Sequence, residues 1–433
     1  MLAAMSATPL PSRSPGDAGA RGSGDACPGA LRLHRADDGA LARIRIPGGV
    51  LTPRQAETLG QAAERLGDGE LHLTSRGNVQ LRGLAPDCGA ELAGLLDEAG
   101  LLPSARHERV RNVVASPLSG LDGLGSVDVR PWLTDLDRLL CGSTHTTALS
   151  GRFLFALDDG RGDVDALGAD LTLLGHDGDA LLRVGHGDEV LRVPRADGPP
   201  AALTAAEAFL DSARDTGAWR VKDLPDVTAA ALPAEVARRL RRTGTPVTTD
   251  HRPRAVDVLP PPHGPVPGGS RESAALSVGV PLGRLVPAQW RLLSGAGELR
   301  LTPWRGIVVT GVRPGRSEAL SAGLAEAGLI TGPGSPWAGV GACIGRPGCA
   351  KSLADVRAEA GAAVGPAGRL PVYWSGCERR CGHPHGEWID VVATPGGHRI
   401  SHRQGDLVSG TATVRNDPVA LGAAVAKARG ART

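Results

Sequence analysis

The feature that most constrains this chain is that it contains a second copy of itself. Residues 67–84, GDGELHLTSRGNVQLRGL, align without a gap with residues 295–312, GAGELRLTPWRGIVVTGV. The pairs Gly67/Gly295, Gly69/Gly297, Glu70/Glu298, Leu71/Leu299, Leu73/Leu301, Thr74/Thr302 and Gly83/Gly311 are kept. Upstream, PGGVLTPRQ (47–55) pairs with PLGRLVPAQ (281–289), at an offset longer by six residues. Downstream, Glu98-Ala99-Gly100-Leu101 pairs with Glu326-Ala327-Gly328-Leu329 at the original offset. Agreement at three places in one order marks a duplicated domain, not a solenoid of short units.

Each copy reads as strand, helix, strand, strand, helix. Thr52-Pro53-Arg54-Gln55 has the form of a capping box with proline at the first helical position. Leu71, Leu73, Val79 and Leu81 alternate with polar residues, as in strands with one buried face, which puts Arg76, Asn78, Gln80 and Arg82 on strand-like positions. Leu92, Leu95, Leu96 and Ala99 return to helical spacing. The fold class is α+β, with a ferredoxin-like unit used twice. The expected organisation is a leader at 1–29, a first half-domain at 30–105 and a first lobe at 106–251. A Pro/Gly-rich linker at 252–273 then leads to a second half-domain at 274–335 and a second lobe at 336–428; Pro260-Pro261-Pro262 makes the linker extended.

With 433 residues the chain can bury a large core, and Lys+Arg 48 against Asp+Glu 46 leaves a formal charge of +2. That balance, with 3% aromatics, argues against a nucleic-acid partner, so anion binding must come from local arginine clustering. No apolar run approaches the roughly 20 residues of a membrane span. The leader is Ala/Gly/Ser/Pro-rich and reads as disordered, not as a signal peptide, so the expected location is cytoplasmic. Seven cysteines, an odd number, then favour metal or redox chemistry over disulfides.

Four of those cysteines fall late in the chain, as Cys343-x5-Cys349 and Cys377-x3-Cys381. Gly345, Pro347 and Gly348 exclude a regular helix from the first loop and let backbone amides approach sulfur. The second spacing sets both thiols on one side of a helical or tight turn. Four thiolates suit a [4Fe–4S] cube, with Arg346, Arg379 and Arg380 available to offset its charge. A four-cysteine zinc site, in a binding or assembly protein, is the competing reading. Cys27, Cys88 and Cys141 stand singly and read as ordinary small residues. His383 and His385, in CGHPHGEW, read as turn hydrogen-bonders or as proton carriers or iron ligands. DDGRGDVDALG (158–168) lacks the dinucleotide fingerprint, so reduced nicotinamide is expected to act through a separate ferredoxin or flavin reductase.

Together, TSRGNVQLRGL, the duplicated half-domain and the two cysteine spacings resemble the nitrite/sulfite reductase superfamily. The likeness runs over nearly the whole chain beyond the leader. It implies two ferredoxin-like half-domains with two cluster- and tetrapyrrole-binding α/β lobes. It also implies that Cys343, Cys349, Cys377 and Cys381 hold a [4Fe–4S] cluster, with Cys381 bridging to a siroheme. Four cationic side chains over the haem face are implied as catalytic. Two match Arg76 and Arg111, within RVRNVVASPLSG; the others belong to a Lys-aromatic-Lys stretch that reads here as Arg152-Phe153-Leu154.

Arginine is a poor proton donor and leucine is none, so this departure turns the resemblance from anion reduction toward the precorrin-3B synthase branch. What that branch implies is a monooxygenase of cobalamin biosynthesis. It uses molecular oxygen to hydroxylate and lactonise precorrin-3A, a carboxylate-rich tetrapyrrole suited to arginine forks. Arg76, Asn78, Gln80, Arg82, Arg109, Arg111 and Arg152 are then the substrate-binding candidates, with Arg305 a weaker one. Siroheme or a non-haem iron could accompany the cluster. A siroheme-dependent assimilatory nitrite or sulfite reductase is the alternative.

Overall fold

The computed structural model describes residues 27–255, 260–268, 274–384, 386–405, 407–415 and 417–430. Most of the expected leader, part of the expected linker and His385 lie outside them.

The repeat folds as the same unit twice, and the two units trade strands. In the first sheet the order is His34–Ala36, Gly39–Ile44, Val79–Leu84, Leu71–Leu73, and then Arg284–Leu285 from the second copy. The second sheet runs Gly264–Pro265, Ala274–Gly279, Gly306–Val312, Glu298–Leu301, closed by Val50–Leu51 from the first copy. Arg284 pairs with His72, and Val50 with Arg300. Each copy thus covers an edge of the other that would otherwise expose unpaired amides.

The helix Pro53–Leu66 starts at the expected box: Gln55 N donates to Thr52 Oγ1 at 3.3 Å, and Thr52 N to Gln55 Oε1 at 3.0 Å. Its counterpart Pro287–Ser294 sends Trp290 into the shared core, where the indole N–H donates to Ala56 O at 2.7 Å. Apolar side chains of both copies, from Ala30 to Leu329, form that one core. Position 60 must be glycine-sized, because a Cβ there would sit 2.7 Å from Trp290 Cδ1.

The lobes also share a plan. In the first, Val113–Ala115, Phe155–Asp158 and Leu171–His176 are parallel, and Asp179–Val184, Glu189–Val193 and Thr248–His251 continue antiparallel. In the second, Val340–Ala342, Val372–Ser375 and Glu387–Thr394 are parallel, followed by Gly397–Gln404 and Leu407–Val414. Each lobe has its own apolar core. No helix among the described residues is long and apolar enough to cross a membrane.

Candidate active site

Loops at the carboxyl ends of parallel strands are where open sheets bind ligands, and the four late cysteines sit on two such loops. Cys343 follows Val340–Ala342, and Cys377 comes two residues after Val372–Ser375. In the first lobe the equivalent strand ends carry Ser116 and the carboxylates Asp158, Asp159 and Asp163. The duplication has therefore put thiols on one copy of this loop pair and acids on the other.

The four thiols lie near enough to influence one another's charge. Burial raises Cys343, and Cys381 and Cys377 raise it further; Cys381 is raised by burial and by Cys377 and Cys349. Yet among the described residues no three Cys, His, Asp or Glu ligand atoms that include a sulfur lie within 4.8 Å of one another. A tetrahedral zinc would draw its sulfurs to about 3.8 Å, from Zn–S bonds of about 2.3 Å. As they stand, the four thiols are not gathered into a metal site.

Backbone geometry lines the same space. Gly376 N donates to Cys343 Sγ at 3.3 Å. A Cβ at Gly376 would lie 1.8 Å from Ser352 Oγ, and one at Gly348 2.7 Å from Asp38 Oδ2, so these loops close tightly only with glycine. Ser375 Oγ is buried there with no hydrogen-bond partner among the described residues. Tyr373 donates to Cys381 O at 2.6 Å, and Arg357 Nε to Cys343 O at 3.3 Å. The second pair lies in a tight turn, with Arg380 at φ 47°, and Arg379 lowers the Cys381 thiol electrostatically. Arg346 instead donates to Ser352 O, and Arg380 pairs with Asp390. His383 stacks on Trp388 and bonds Pro384 O at 2.8 Å.

The arginine candidates divide. Arg76 lies in the loop between Leu71–Leu73 and Val79–Leu84, not on a strand, and donates to Gly151 O at 3.2 Å. Burial, Arg45 and Arg220 disfavour its charge. Arginine does not give up its proton in proteins, so this group calls for negative charge. Arg45 is buried; it donates to Arg109 O, Gly151 O and Cys27 Sγ, and its Nη1 has no partner among the described residues. Arg109 is half-buried beside it.

Four of the candidates are held by partners within the chain. Arg82 grips Asp38 through two 2.7 Å bonds and donates to Gly348 O at 3.0 Å. Arg111 is likewise committed, to both oxygens of Asp137 at 2.7 Å and to Leu101 O. Asn78 is buried, accepting from Ile46 N and donating to Asn112 Oδ1. Arg152 lays its guanidinium 4.5 Å from the centre of the Trp219 ring, while the neighbouring Leu154 is buried. Gln80 is half-buried on its strand. Arg305 adopts φ 58° where the first copy has Gly77 at φ 64°, and it lines a small recess with Tyr373 and Gly382. A cleft of about 520 Å³ lies elsewhere, between half-domain and lobe, lined by Arg45, Arg111, Asp137 and Cys141.

Sequence reading missed Asp170 and Arg220. Asp170 accepts from Leu154 N, Arg220 Nε and Val221 N at 2.8–2.9 Å, which ties Trp219–Asp223 to the Arg152–Leu154 stretch. It also missed Asp68, Glu70 and His72, which lie close enough to share a metal ion. Arg357 donates to His72 Nδ1 at 3.1 Å, which leaves the proton of the neutral ring on Nε2. That nitrogen therefore offers a proton to the acids, not a lone pair to a metal.

Comparison with known proteins accords with this architecture. The family described as "Nitrite/Sulfite reductase ferredoxin-like half domain" matches residues 33–99 and 269–327. The fold is a duplicated nitrite/sulfite reductase-like fold. The solved structure of the Mycobacterium tuberculosis NirA protein superposes with a TM-score of 0.67 at 20% identity, over 87% of this chain and 77% of that one. The ferredoxin–nitrite reductase of Synechococcus elongatus is 34% identical over 127 residues, 28% of this chain and 25% of that protein. A precorrin-3B synthase of Sinorhizobium sp. is 33% identical over 149 residues, 34% of this chain and 32% of that protein. Ferredoxin–nitrite reductases recur among the other relatives. The matches to the first curated relatives thus span a third of their length or less.

Proposed function

We propose that this chain is an oxidoreductase in which Cys343, Cys349, Cys377 and Cys381 hold a [4Fe–4S] cluster beside an arginine-lined cleft for a tetrapyrrole. The observation that supports the reading is that the four cysteines lie on the loops after two paired parallel strands, close enough to raise one another's thiols. The cluster would supply single electrons. The chain's own part is to seat it with tight glycine loops, the Gly376 amide and Arg379, and to gather anions with Arg45 and Arg76. Electrons would come from a separate donor protein of ferredoxin or flavin-reductase type.

For the reaction, the relatives favour reduction of a small oxyanion, nitrite or sulfite, on a siroheme, because ferredoxin–nitrite reductases dominate among them. This moves weight away from the precorrin-3B synthase reading that the Arg152-Phe153-Leu154 stretch suggests. The second reading keeps a specific support: Arg152 is engaged on Trp219 and Leu154 is buried, so neither supplies an acid to a bound anion. In that case the arginines would hold the carboxylates of precorrin-3A while molecular oxygen hydroxylates it.

The test is direct. Anaerobically purified protein is assayed for siroheme bands, for dye-linked turnover of nitrite and sulfite, and for incorporation of labelled oxygen into precorrin-3A. Siroheme with anion turnover supports the first reading. Label in the tetrapyrrole without anion turnover supports the second.

A further inference from the structure

The two copies carry different residues at one structural position. Asp68, Glu70 and His72, spaced by two into the strand Leu71–Leu73, have Ala296, Glu298 and Arg300 as counterparts in the repeat. Each strand is paired with the visiting strand of the other copy, Arg284 opposite His72 and Val50 opposite Arg300. Each position also reaches a lobe, at the loop that follows that lobe's first parallel strand. Arg300 does so directly, donating through Nη1 to Pro117 O at 3.1 Å and to Ser119 O at 2.8 Å, after Val113–Ala115. His72 does so through Arg357, which donates to its Nδ1 at 3.1 Å and to Cys343 O at 3.3 Å, after Val340–Ala342. One joint thus rests on a permanent cation and the other on an imidazole.

The imidazole has two settings. A guanidinium only donates, so Arg357 bonds Nδ1 only while that nitrogen is unprotonated. Nε2 is buried, 3.8 Å from Glu70 Oε2 and 4.0 Å from Asp68 Oδ2, too far for a hydrogen bond. It has no partner among the described residues. Glu70 is held in place by Arg284, and Arg82 adds its field at Asp68. A second proton on the ring sets N–H against N–H at Arg357 and gives the two acids a cation to bind.

We propose that His72 is a pH-sensitive joint between the first half-domain and the second lobe: neutral, it holds Arg357; protonated, it turns to Asp68 and Glu70 and releases it. Burial, with Arg357, keeps the imidazole below its ordinary range against the pull of Asp68 and Glu70. Despite burial, His72 and the Glu70 amide hold Asp68 below the usual carboxylate range, so an anion remains to receive the ring. Around Arg357 stand Tyr373, Arg284, Arg82 and Arg305, and burial raises that phenol out of the window. A base whose native pKa is lowered binds its proton less readily folded than unfolded. Its contribution to stability is full above the ordinary imidazole value, about 6.5, and is lost as pH falls below it. The joint is made of protein groups alone and stands whatever the four cysteines bind.

Hydrogen exchange of the full-length protein tests this, in steps from about pH 7.5 to about pH 4.5 across the imidazole range, with correction for intrinsic exchange rates. Protection of the helix Val356–Ala362 should fall roughly tenfold on acidification, the loss of one charge-assisted hydrogen bond. The Leu118 and Ser119 amides, in the loop held by Arg300, should keep theirs. His72→Asn sets an amide oxygen near the Nδ1 position, so it keeps Arg357 and removes the titration; protection of the helix should then hold at every pH. Arg357→Met should show the low value at every pH, and it decides alone if His72→Asn does not fold. A pH response in either variant equal to that of the unaltered protein overturns the proposal, as does the absence of any response in the unaltered protein.

Discussion

Arg82 crosses 266 residues of sequence to donate to Gly348 O at 3.0 Å, one residue before Cys349. The same guanidinium is clamped by Asp38, so the first half-domain holds the loop of a cysteine in the second lobe. Ala350 N adds a 2.6 Å bond to Asp37 from the same hairpin.

Replacing Arg82 with leucine should therefore act twice. Removing one partner of a largely buried ion pair costs roughly 3–5 kcal/mol, and the Cys349 loop loses its tether. The expected outcome in chemical denaturation is a loss toward the lower end of that range, since Asp38 keeps some solvent contact. Iron content should fall with it. A variant with full stability and full iron would remove Arg82 from this role.

The exchange of strands between the copies predicts that the half-domains unfold together. Trp290→Ala should cost about 3–5 kcal/mol, as for other large core truncations. Gly60→Val, which drives a side chain into the indole, should cost about 1–3 kcal/mol. Hydrogen exchange should show amides of both Leu71–Leu73 and Glu298–Leu301 losing protection in parallel. Loss confined to one copy would contradict a shared core.

The repeat, the α+β class and the helix start at Thr52 were all legible in the sequence, because they rest on local periodicity and capping. The exchange of Val50–Leu51 for Arg284–Leu285 was not, since two-residue strands carry no pattern and either copy could have kept its own. Arginine roles were harder still. Arg82 and Arg111 sit in motifs that suggest ligand binding, but their partners Asp38 and Asp137 are remote in sequence, and only the fold brings the acids to them. Arg220 escaped for the same reason: its partner Asp170 is remote in sequence, and only the fold brings the two together.

The acidic loop of the first lobe should leave a mark on pH dependence. Burial and then Asp158 push the Asp163 carboxyl well up, while Ser116 Oγ bonds it at 2.5 Å. A carboxyl whose native pKa is raised binds its proton more tightly folded than unfolded. Its contribution to stability is therefore present at low pH and is lost as pH rises through the native value. Asp163→Asn should flatten the decline in melting temperature from the ordinary carboxylate range toward neutrality. A profile parallel to that of the unaltered protein would contradict the assignment.

Arg76→Leu should reduce the crowding of positive charge around Arg45 and Arg220, so stability should hold or rise. Binding of an anionic tetrapyrrole, followed by calorimetry, should fall by roughly tenfold or more. Unchanged binding would show that the arginine group does not face the ligand.

The central claim is tested most directly by iron and acid-labile sulfide analysis of anaerobically purified protein, read with its paramagnetic spectrum after reduction. Acid-labile sulfide matched or slightly exceeded by iron, a reduced-cluster signal, and the loss of sulfide and signal in Cys343→Ala are the predicted result. Protein that carries zinc in place of iron, or a cluster signal that survives removal of Cys343, would contradict it.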